Sequence, residues 1–201
     1  MAEPTEFYFT LAKSGQGLYR EKGSKFIALA VAVGSVDEVR EVLATVRKKY
    51  YDARHVCYAY VLGRERAEFR ANDDGEPSGT AGRPILGQLH ARNLTDVLVV
   101  VVRYFGGVLL GTGGLVVAYK EAAADALNNS VIIKKQVEEV LTITFAYERM
   151  NEVLKCIREH RAGIVSQLIR MECIFQVVVA ISAINILINQ LEKTEGVKVD
   201  W

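Results

Sequence analysis

The sequence has little proline, little cysteine and no long run of apolar residues. Only 3 of its 201 residues are proline and 16 are glycine, a composition that excludes collagen-like and low-complexity chains. Its 3 cysteines are an odd number at wide spacing, which excludes a disulfide scaffold and a Cys-x-x-Cys zinc site. The most apolar stretch, residues 175–191, is interrupted by one serine and four amide side chains, and falls short of the ~20 residues of a membrane helix. Because Glu3 and Glu6 precede any apolar run, the N-terminus does not resemble a signal peptide. We therefore expect a cytoplasmic protein with reduced thiols and no membrane partner.

The chain also lacks an excess of charge of either sign. Lysine and arginine total 25 and acidic residues 24, a formal charge of +1. This balance excludes binding to nucleic acid or an anionic membrane through overall charge, so such binding needs a local patch. Basic residues do cluster in the first half, at positions 20–25 and 47–54. Most such clusters only keep a surface soluble, which is the alternative interpretation.

Periodicity divides the chain near residue 133. Beyond it, apolar residues alternate over 141–147, follow helical spacing over 150–157, and return as two β-rich runs at 164–171 and 173–181. A second helical stripe over 184–191 and a short strand at 197–201 complete the order β-α-β-β-α-β, which is typical of ferredoxin-like domains. We predict an α+β protein with domains at 1–133 and 134–201, joined by a short linker within residues 130–136.

In the first domain the clearest elements are four strands and two helices. The pattern predicts strands over 7–11, 26–33, 56–62 and 97–102, the last two being near-continuous apolar runs. A capping box, Ser35 with Glu38, predicts the start of a helix that runs to Tyr50. A second helix carries apolar residues from Val116 to Ala126.

A glycine-rich turn follows the strand at 97–102. It contains Gly106, Gly107, Gly111, Gly113 and Gly114, and leads into a helix. Glycines at such a place allow tight turns and also let a phosphate approach bare amides at a helix N-terminus. The known phosphate motifs do not fit, since Thr112 stands where a P-loop has lysine. Structural turns and anion capture both remain open.

An acidic, glycine-rich segment covers residues 73–84. Its Asp73, Asp74 and Glu76 could offer oxygen ligands to a hard cation, but the spacing of an EF-hand is absent. Turn formation explains the same composition. Nearby, His55 and Cys57 share one face of a strand, which suits a catalytic dyad or a buried thiol beside a satisfied histidine.

Two segments together resemble the signature of the IMPACT family. They are DDGEPSGTAGRP at 73–84 and VVRYFGGVLLGTGGLVVAY at 101–119, with Ala53-Arg54-His55 before a strand. The whole chain resembles the bacterial two-domain members of the YigZ type. It departs from them at Leu109 and Val117, where a basic residue is common, and these changes weaken a basic surface around the glycine-rich turn.

The resemblance implies a first domain similar to a fold shared by a small-subunit ribosomal protein and domain IV of elongation factor G. It likewise implies a second domain similar to the ferredoxin-like fifth domain of that factor. Eukaryotic IMPACT proteins regulate translation, whereas RNA or ribosome association is the usual proposal for bacterial members. No catalytic residue follows from the resemblance, and fold likeness to translation factors is analogy only.

Three hypotheses follow. The first is a non-enzymatic, translation-associated binding module that contacts RNA, the ribosome or a translation protein, with no cofactor. Its candidate contacts are Arg54, His55, Arg83, Arg103 and Lys120. The second is a phospho-ligand-binding enzyme or sensor that uses the five glycines, with Mg²⁺ held by Asp73, Asp74 and Glu76. The third is a scaffold for a protein partner, and the sequence predicts no oligomeric state for any of them.

Overall fold

The computed structural model describes residues 6–201. The strands are β1 (Phe7–Lys13), β2 (Gly15–Glu21), β3 (Ser24–Ala32), β4 (His55–Leu62), β5 (Glu68–Asn72), β6 (Val97–Tyr104), β7 (Val131–Gln136), β8 (Glu138–Ala146), β9 (Gly163–Leu168), β10 (Glu172–Ala180) and β11 (Lys198–Asp200). The helices are α1 (Val36–Lys49), α2 (Gly82–Ala91), α3 (Gly111–Asn128), α4 (Met150–Glu159) and α5 (Ile181–Leu191), with a 3₁₀ turn at Tyr147–Arg149. No helix within residues 6–201 has the length and apolar character to cross a membrane. The chain is thus a mixed α/β protein with several antiparallel sheets.

The described chain forms two compact units. One contains residues 8–135, and the other contains residues 136–201 together with Glu6 and Phe7. The division lies between Lys135 and Gln136, compared with the predicted boundary between residues 133 and 134.

The unit of residues 8–135 is built on a five-stranded sheet. Its strand order is β2-β3-β6-β4-β5, and all its neighbouring pairs are antiparallel. On one face, α2 and α3 cover Phe26, Cys57 and Val101 among others, while α1 covers Val56 and Val100 on the opposite face. Because both faces are buried, β6 is apolar at nearly every position, as its sequence indicated.

The capping box at the start of α1 is present with a small change. Ser35 Oγ accepts a hydrogen bond from the Glu38 amide at 3.3 Å. The Glu38 carboxylate reaches back to the Gly34 amide at 2.9 Å, one residue before the position that the motif predicts. Both contacts satisfy amides near the helix start, so the predicted helix boundary is confirmed.

The unit of residues 136–201 has the element order β-α-β-β-α-β that the sequence predicted. Its four strands form an antiparallel sheet in the order β11-β8-β10-β9. Alternate residues of β8 and β10, such as Phe145 and Phe175, are buried with the apolar stripes of α4 and α5. The period-two pattern thus reflects a sheet covered on one face.

Three strands were missed from the sequence, and one of them occupies the predicted linker. Residues 131–136 of the predicted linker form strand β7, which pairs with β1. Its side chains are mostly exposed, so its main-chain pairing leaves no apolar pattern to read. Strand β2 was obscured by Gly15 and Gly17, and β5 is exposed along most of its length.

Candidate functional site

Asp73 organises the acidic loop and the start of α2. Its carboxylate accepts hydrogen bonds from the amides of Gly79, Ala81 and Gly82 at 2.8, 3.0 and 2.8 Å. The N-cap residue of α2, Ala81, has no side chain that can cap the helix, so Asp73 supplies this contact from outside it. Burial by itself would raise the pKa of Asp73, but the three amides outweigh it and hold that pKa below its ordinary value.

Asp74 ties the loop to the beginning of β4. Its carboxylate accepts from the Val56 amide at 2.6 Å and pairs with Arg47 at 2.7 Å. Its carbonyl oxygen lies 2.8 Å from His55 Nδ1, so that nitrogen must be the donor. Burial opposes ionisation here too, yet Arg47 and the Val56 amide lower the pKa of Asp74.

A buried ion pair lies beneath the loop. Glu76 Oε1 receives hydrogen bonds from Arg103 Nη1 at 2.6 Å and from the Tyr119 hydroxyl at 2.8 Å. Only 4% of the Glu76 side chain and 7% of the Arg103 side chain are exposed. Burial, followed by the nearby Cys57, raises the pKa of Tyr119, so its hydroxyl stays a donor. This contact joins the loop, β6 and α3.

Cys57 is a buried thiol rather than half of a catalytic dyad. Its Sγ lies 3.0 Å from the Asp73 carbonyl oxygen and 3.3 Å from the Tyr119 hydroxyl. Burial raises the pKa of Cys57 to about 12, which leaves almost no thiolate at neutral pH. The His55 ring is directed to Asp74 instead, so the satisfied-histidine interpretation describes this pair.

A cavity of about 400 Å³ opens beside the ion pair. Its lining comprises Arg54, His55, Glu76, Pro77, Arg103, Phe105, Leu109, Leu110, Gly111, Thr112 and Leu115. The wall therefore combines the start of β4, the end of β6, the acidic loop and the start of α3. The volume is within the usual range for a small-molecule site.

The five glycines of the glycine-rich turn have different roles. Gly106 lies against the β2–β3 turn, where a Cβ would come within 1.9 Å of the backbone of Gly23. Gly107 and Gly111 have positive φ values of 88° and 71°. Gly111, Gly113 and Gly114 belong to the first turn of α3 rather than to the turn before it. The predicted glycine-rich turn is thus residues 105–110, shorter than the sequence suggested.

Some of the site residues predicted from the sequence line the cavity, and the others lie outside it. Five of them line the cavity: Arg54, His55, Glu76, Arg103 and Gly111. Asp73 and Asp74 hold the loop together, and Arg83 is exposed on α2 outside the cavity. Lys120 is on α3, nine residues beyond Gly111 and so roughly 13 Å along the helix, where it lies 4.0 Å from Glu121.

Sequence reasoning missed the apolar wall and the hydroxyl of the cavity. Phe105 and Thr112 are the most informative omissions, because one offers a half-exposed aromatic ring and the other a polar group at a helix start. An aromatic residue directly after a buried strand and before a glycine pair was the available signal.

The acidic loop does not provide a cluster of metal ligands. Within residues 6–201, no group of three or more histidine, cysteine or acidic side chains is placed to hold a metal ion. Asp73 binds backbone amides, Asp74 pairs with Arg47, and Glu76 pairs with Arg103. The three carboxylates therefore serve different protein partners instead of one cation.

The lowered pKa values of Asp73 and Asp74 predict a loss of stability in acid. A carboxyl whose pKa is lower when folded stabilises the protein above its unfolded pKa, and this stabilisation is lost as pH falls through the folded pKa. We expect the free energy of unfolding to decline from about pH 5 towards about pH 2. The difference in the free energy of unfolding between the native chain and Asp73→Asn should shrink over the same pH range. Urea unfolding followed by circular dichroism measures this difference. A difference in the free energy of unfolding that stays constant throughout this pH range would contradict a lowered pKa of Asp73 in the folded protein.

Comparison with known proteins places this architecture in a family. Residues 22–127, more than half of the chain, match the model of the Impact N-terminal domain. This region contains the acidic loop, the ion pair, the cavity and the glycine-rich turn. The chain belongs to the IMPACT family. The resemblance recognised from residues 73–84 and 101–119 is confirmed.

Members of the IMPACT family match this chain over different lengths. IMPACT family member YvyE of Bacillus subtilis is 36% identical over 76% of this chain and 70% of its own length. IMPACT family member YigZ of Escherichia coli is 37% identical over 66% of each chain. Protein IMPACT of Rattus norvegicus is 33% identical over 45% of this chain, but the match spans only 30% of that protein.

One solved structure resembles this IMPACT family member along its whole length. It is described as a crystal structure of a hypothetical protein, and it is 28% identical to this chain. The alignment covers 97% of both chains with a TM-score of 0.76. The two-unit organisation is therefore shared with a protein whose structure has been solved.

Proposed function

We propose that this IMPACT family member is a non-enzymatic, translation-associated binding module of the cytoplasm that contacts RNA. The observation that supports the proposal is the convergence of basic residues at one end of the five-stranded sheet. We call this surface the basic end, and it comprises Arg20, Lys22, Lys25, Arg47, Lys48, Lys49 and Arg54. Phosphate contacts by lysine and arginine supply most of the affinity of nonspecific nucleic-acid binding.

Strand register is what brings the basic end together. β3 begins where β6 ends, with Lys25 opposite Tyr104 and Phe26 opposite Arg103. Arg103 is also opposite His55 at the start of β4, which places Arg54 beside it. Helix α1 ends at Lys49, only a few residues before β4, so its basic last turn belongs to the same end.

The charges at the basic end are largely uncompensated. Within the described chain, six of these side chains form no ion pair: Arg20, Lys22, Lys25, Lys48, Lys49 and Arg54. Of the nearby carboxylates, Asp74 and Glu76 are already paired with Arg47 and Arg103, while Glu21 and Asp52 accept hydrogen bonds from tyrosine hydroxyls. At this end of the sheet the unpaired cations therefore outnumber the unpaired carboxylates. A chain with a net charge of only +1 needs such a local basic patch to bind nucleic acid.

The fold is consistent with a role in translation. The strand order of the unit of residues 136–201 is the one expected for a ferredoxin-like domain, as the likeness to elongation factor G implies. We propose that the unit of residues 8–135 has the corresponding likeness to domain IV of that factor. Such likeness is analogy, so the basic end remains the main support for RNA binding.

A salt titration tests the proposal. We expect the full chain to bind a single-stranded RNA oligonucleotide with an affinity that falls steeply as salt rises, because phosphate contacts release counterions. Lys22→Gln and Arg54→Gln should each lower the slope of log affinity against log salt by about 0.7. Fluorescence anisotropy over a range of salt concentrations measures this slope.

Arg64→Gln is the matched control. Arg64 follows the opposite end of β4 from Arg54 and is also exposed, so this change removes the same charge far from the basic end. It should leave the slope unchanged. A flat salt response, absence of binding at low salt, or an equal effect of all three changes would contradict the proposal.

The alternative of a Mg²⁺-dependent enzyme or sensor has weaker support. Its metal ligands Asp73, Asp74 and Glu76 are engaged with protein groups, and the Cys57 thiol is protonated at neutral pH. The part of that hypothesis that the structure favours is phosphate capture at the start of α3.

A further inference from the structure

We infer that the cavity binds one nucleotide through a phosphomonoester, with the phosphate at the start of α3 and the base or sugar on Phe105. The ligand is a phosphorylated RNA end or a free nucleotide, which share this chemistry. The inference deepens the proposed function and rests on it in assigning the RNA end as the natural source.

The first observation is an uncapped helix start. α3 is 18 residues long, and within residues 6–201 its N-cap residue, Leu110, provides no side-chain hydrogen bond to the first amides. Gly111 and Thr112 of its first turn line the cavity. Unpaired amides and the positive end of the helix dipole together favour an anion, and the Thr112 hydroxyl adds a further donor.

The second observation is a buried arginine with unused donors. Arg103 is 6% exposed and lines the same cavity. Its guanidinium makes one protein hydrogen bond, from Nη1 to Glu76, and its Nε is buried without a partner among residues 6–201. Because a buried donor without an acceptor is costly, the unpartnered Nε favours a ligand that supplies an oxygen atom next to this guanidinium. Exposed Arg54 on the cavity wall adds a positive charge.

Gly113 supports the same interpretation. Its φ is not positive, and a Cβ there would meet nothing within 4 Å, so neither conformation nor packing requires glycine. Glycine inside a helix costs about 1 kcal/mol relative to alanine. Since Cβ atoms tilt towards the helix N-terminus, glycine at this position leaves the first amides of α3 uncovered.

The apolar wall selects a nucleotide over a bare ion. Phe105 is 50% exposed and lines the cavity, and its ring centroid lies 5.8 Å from the guanidinium carbon of Arg103. This cation–π contact orients both groups, and an exposed aromatic face is a stacking surface for a base. A cavity of about 400 Å³ has room for a single nucleotide beside the phosphate.

The test compares three short RNAs of one sequence at a fixed, moderate salt concentration. One carries a 5′-phosphate, one a 3′-phosphate, and one has hydroxyl groups at both ends. We expect one phosphorylated end to bind the full chain about tenfold more tightly than the hydroxyl form, the equivalent of one added charge-assisted hydrogen bond. Adenosine monophosphate should remove this preference at concentrations where inorganic phosphate does not.

The variants separate a specific site from added charge. Thr112→Val and Phe105→Leu change no charge and alter exposed groups, so we expect native thermal unfolding and a loss of most of the end preference. Arg64→Gln removes a distant charge and should retain the preference.

The outcomes distinguish this inference from the proposed function. Equal, salt-dependent binding of all three RNAs would overturn the inference and leave RNA binding intact. Binding of adenosine monophosphate that depends on Thr112, without binding of any RNA, would support the cavity and overturn the proposed function. Competition by inorganic phosphate as strong as by the nucleotide would overturn the role of Phe105.

Discussion

Glu76→Ala is expected to lower the free energy of unfolding by about 3–5 kcal/mol. The carboxylate is the only protein acceptor recorded for the Arg103 guanidinium within residues 6–201, and it also accepts from Tyr119. Removing it leaves a cation and a hydroxyl buried without their partner, and both lose water without compensation. Urea unfolding followed by circular dichroism measures the loss, and hydrogen exchange should place it in β4 and β6.

Two further variants show whether the loss comes from the unpaired charge. Glu76→Gln keeps an oxygen acceptor but no charge, so it should lose less stability than Glu76→Ala. The double change Glu76→Met with Arg103→Met removes both charges and should recover much of the loss. A double variant as unstable as Glu76→Ala would contradict the explanation.

The matched control is an exposed ion pair of the same unit. Asp37 pairs with Arg40 at 2.6 Å, but the two side chains are 82% and 74% exposed. Asp37→Ala should therefore cost no more than about 1 kcal/mol. Similar losses for Asp37→Ala and Glu76→Ala would show that burial does not set the size of the effect.

Gly106→Ala is expected to destabilise the unit of residues 8–135 by about 3 kcal/mol or more. A Cβ at this position would lie 1.9 Å from the Gly23 carbonyl carbon and 2.2 Å from the Ser24 nitrogen. Both neighbours are backbone atoms, so no side-chain rotation can relieve the overlap. The β2–β3 turn must move away, and the hydrogen bond from the Gly106 amide to Ser24 Oγ is lost with it.

Gly87→Ala is the control for this prediction. Gly87 is an exposed helical residue of α2, and a Cβ there would meet nothing within 4 Å. Because alanine is the better helix former, this change should raise stability by about 0.5–1 kcal/mol. Equal and small effects of the two changes in urea unfolding would contradict the close approach at Gly106.

The same close approach matters for the proposed function. Gly106 holds the turn that contains Lys22 beside the loop that follows β6. A variant that moves this turn should weaken RNA binding even under conditions where the chain is folded, since the phosphate contacts of the basic end depend on one arrangement of separate elements.

Five residues that the sequence singled out line the cavity, but the sequence did not indicate their contacts. Asp73, Asp74 and Glu76 stand close together in a short segment, and their proximity suggested one shared cation. The fold directs them to three partners instead, which are the amides before α2, Arg47 and Arg103. Neighbours in sequence need not face one another in a loop, because successive side chains follow the turn of the backbone.

The sequence predicted correctly those helices and strands whose buried residues recur at regular spacing. Alternation in β8 and β10, the apolar run of β6 and the capping residues of α1 each depend on neighbours within a few residues, so their prediction from sequence succeeded. Exposed β5 and β7 pair through main-chain atoms and leave no such pattern.

What the sequence by itself determined is the family, the order of the main elements and the segments that hold the site. Only the tertiary structure decided that Arg54, Arg103 and Thr112 meet at one cavity, and that Glu76 neutralises Arg103 there. Arg54 precedes β4, Arg103 lies in β6 and Thr112 in α3, far apart in the chain, and the register of β4 against β6 brings the first two together. Pairing between strands that are far apart in the chain depends on how helices pack on both faces of the sheet. The pattern of residues within one segment carries no information about that packing.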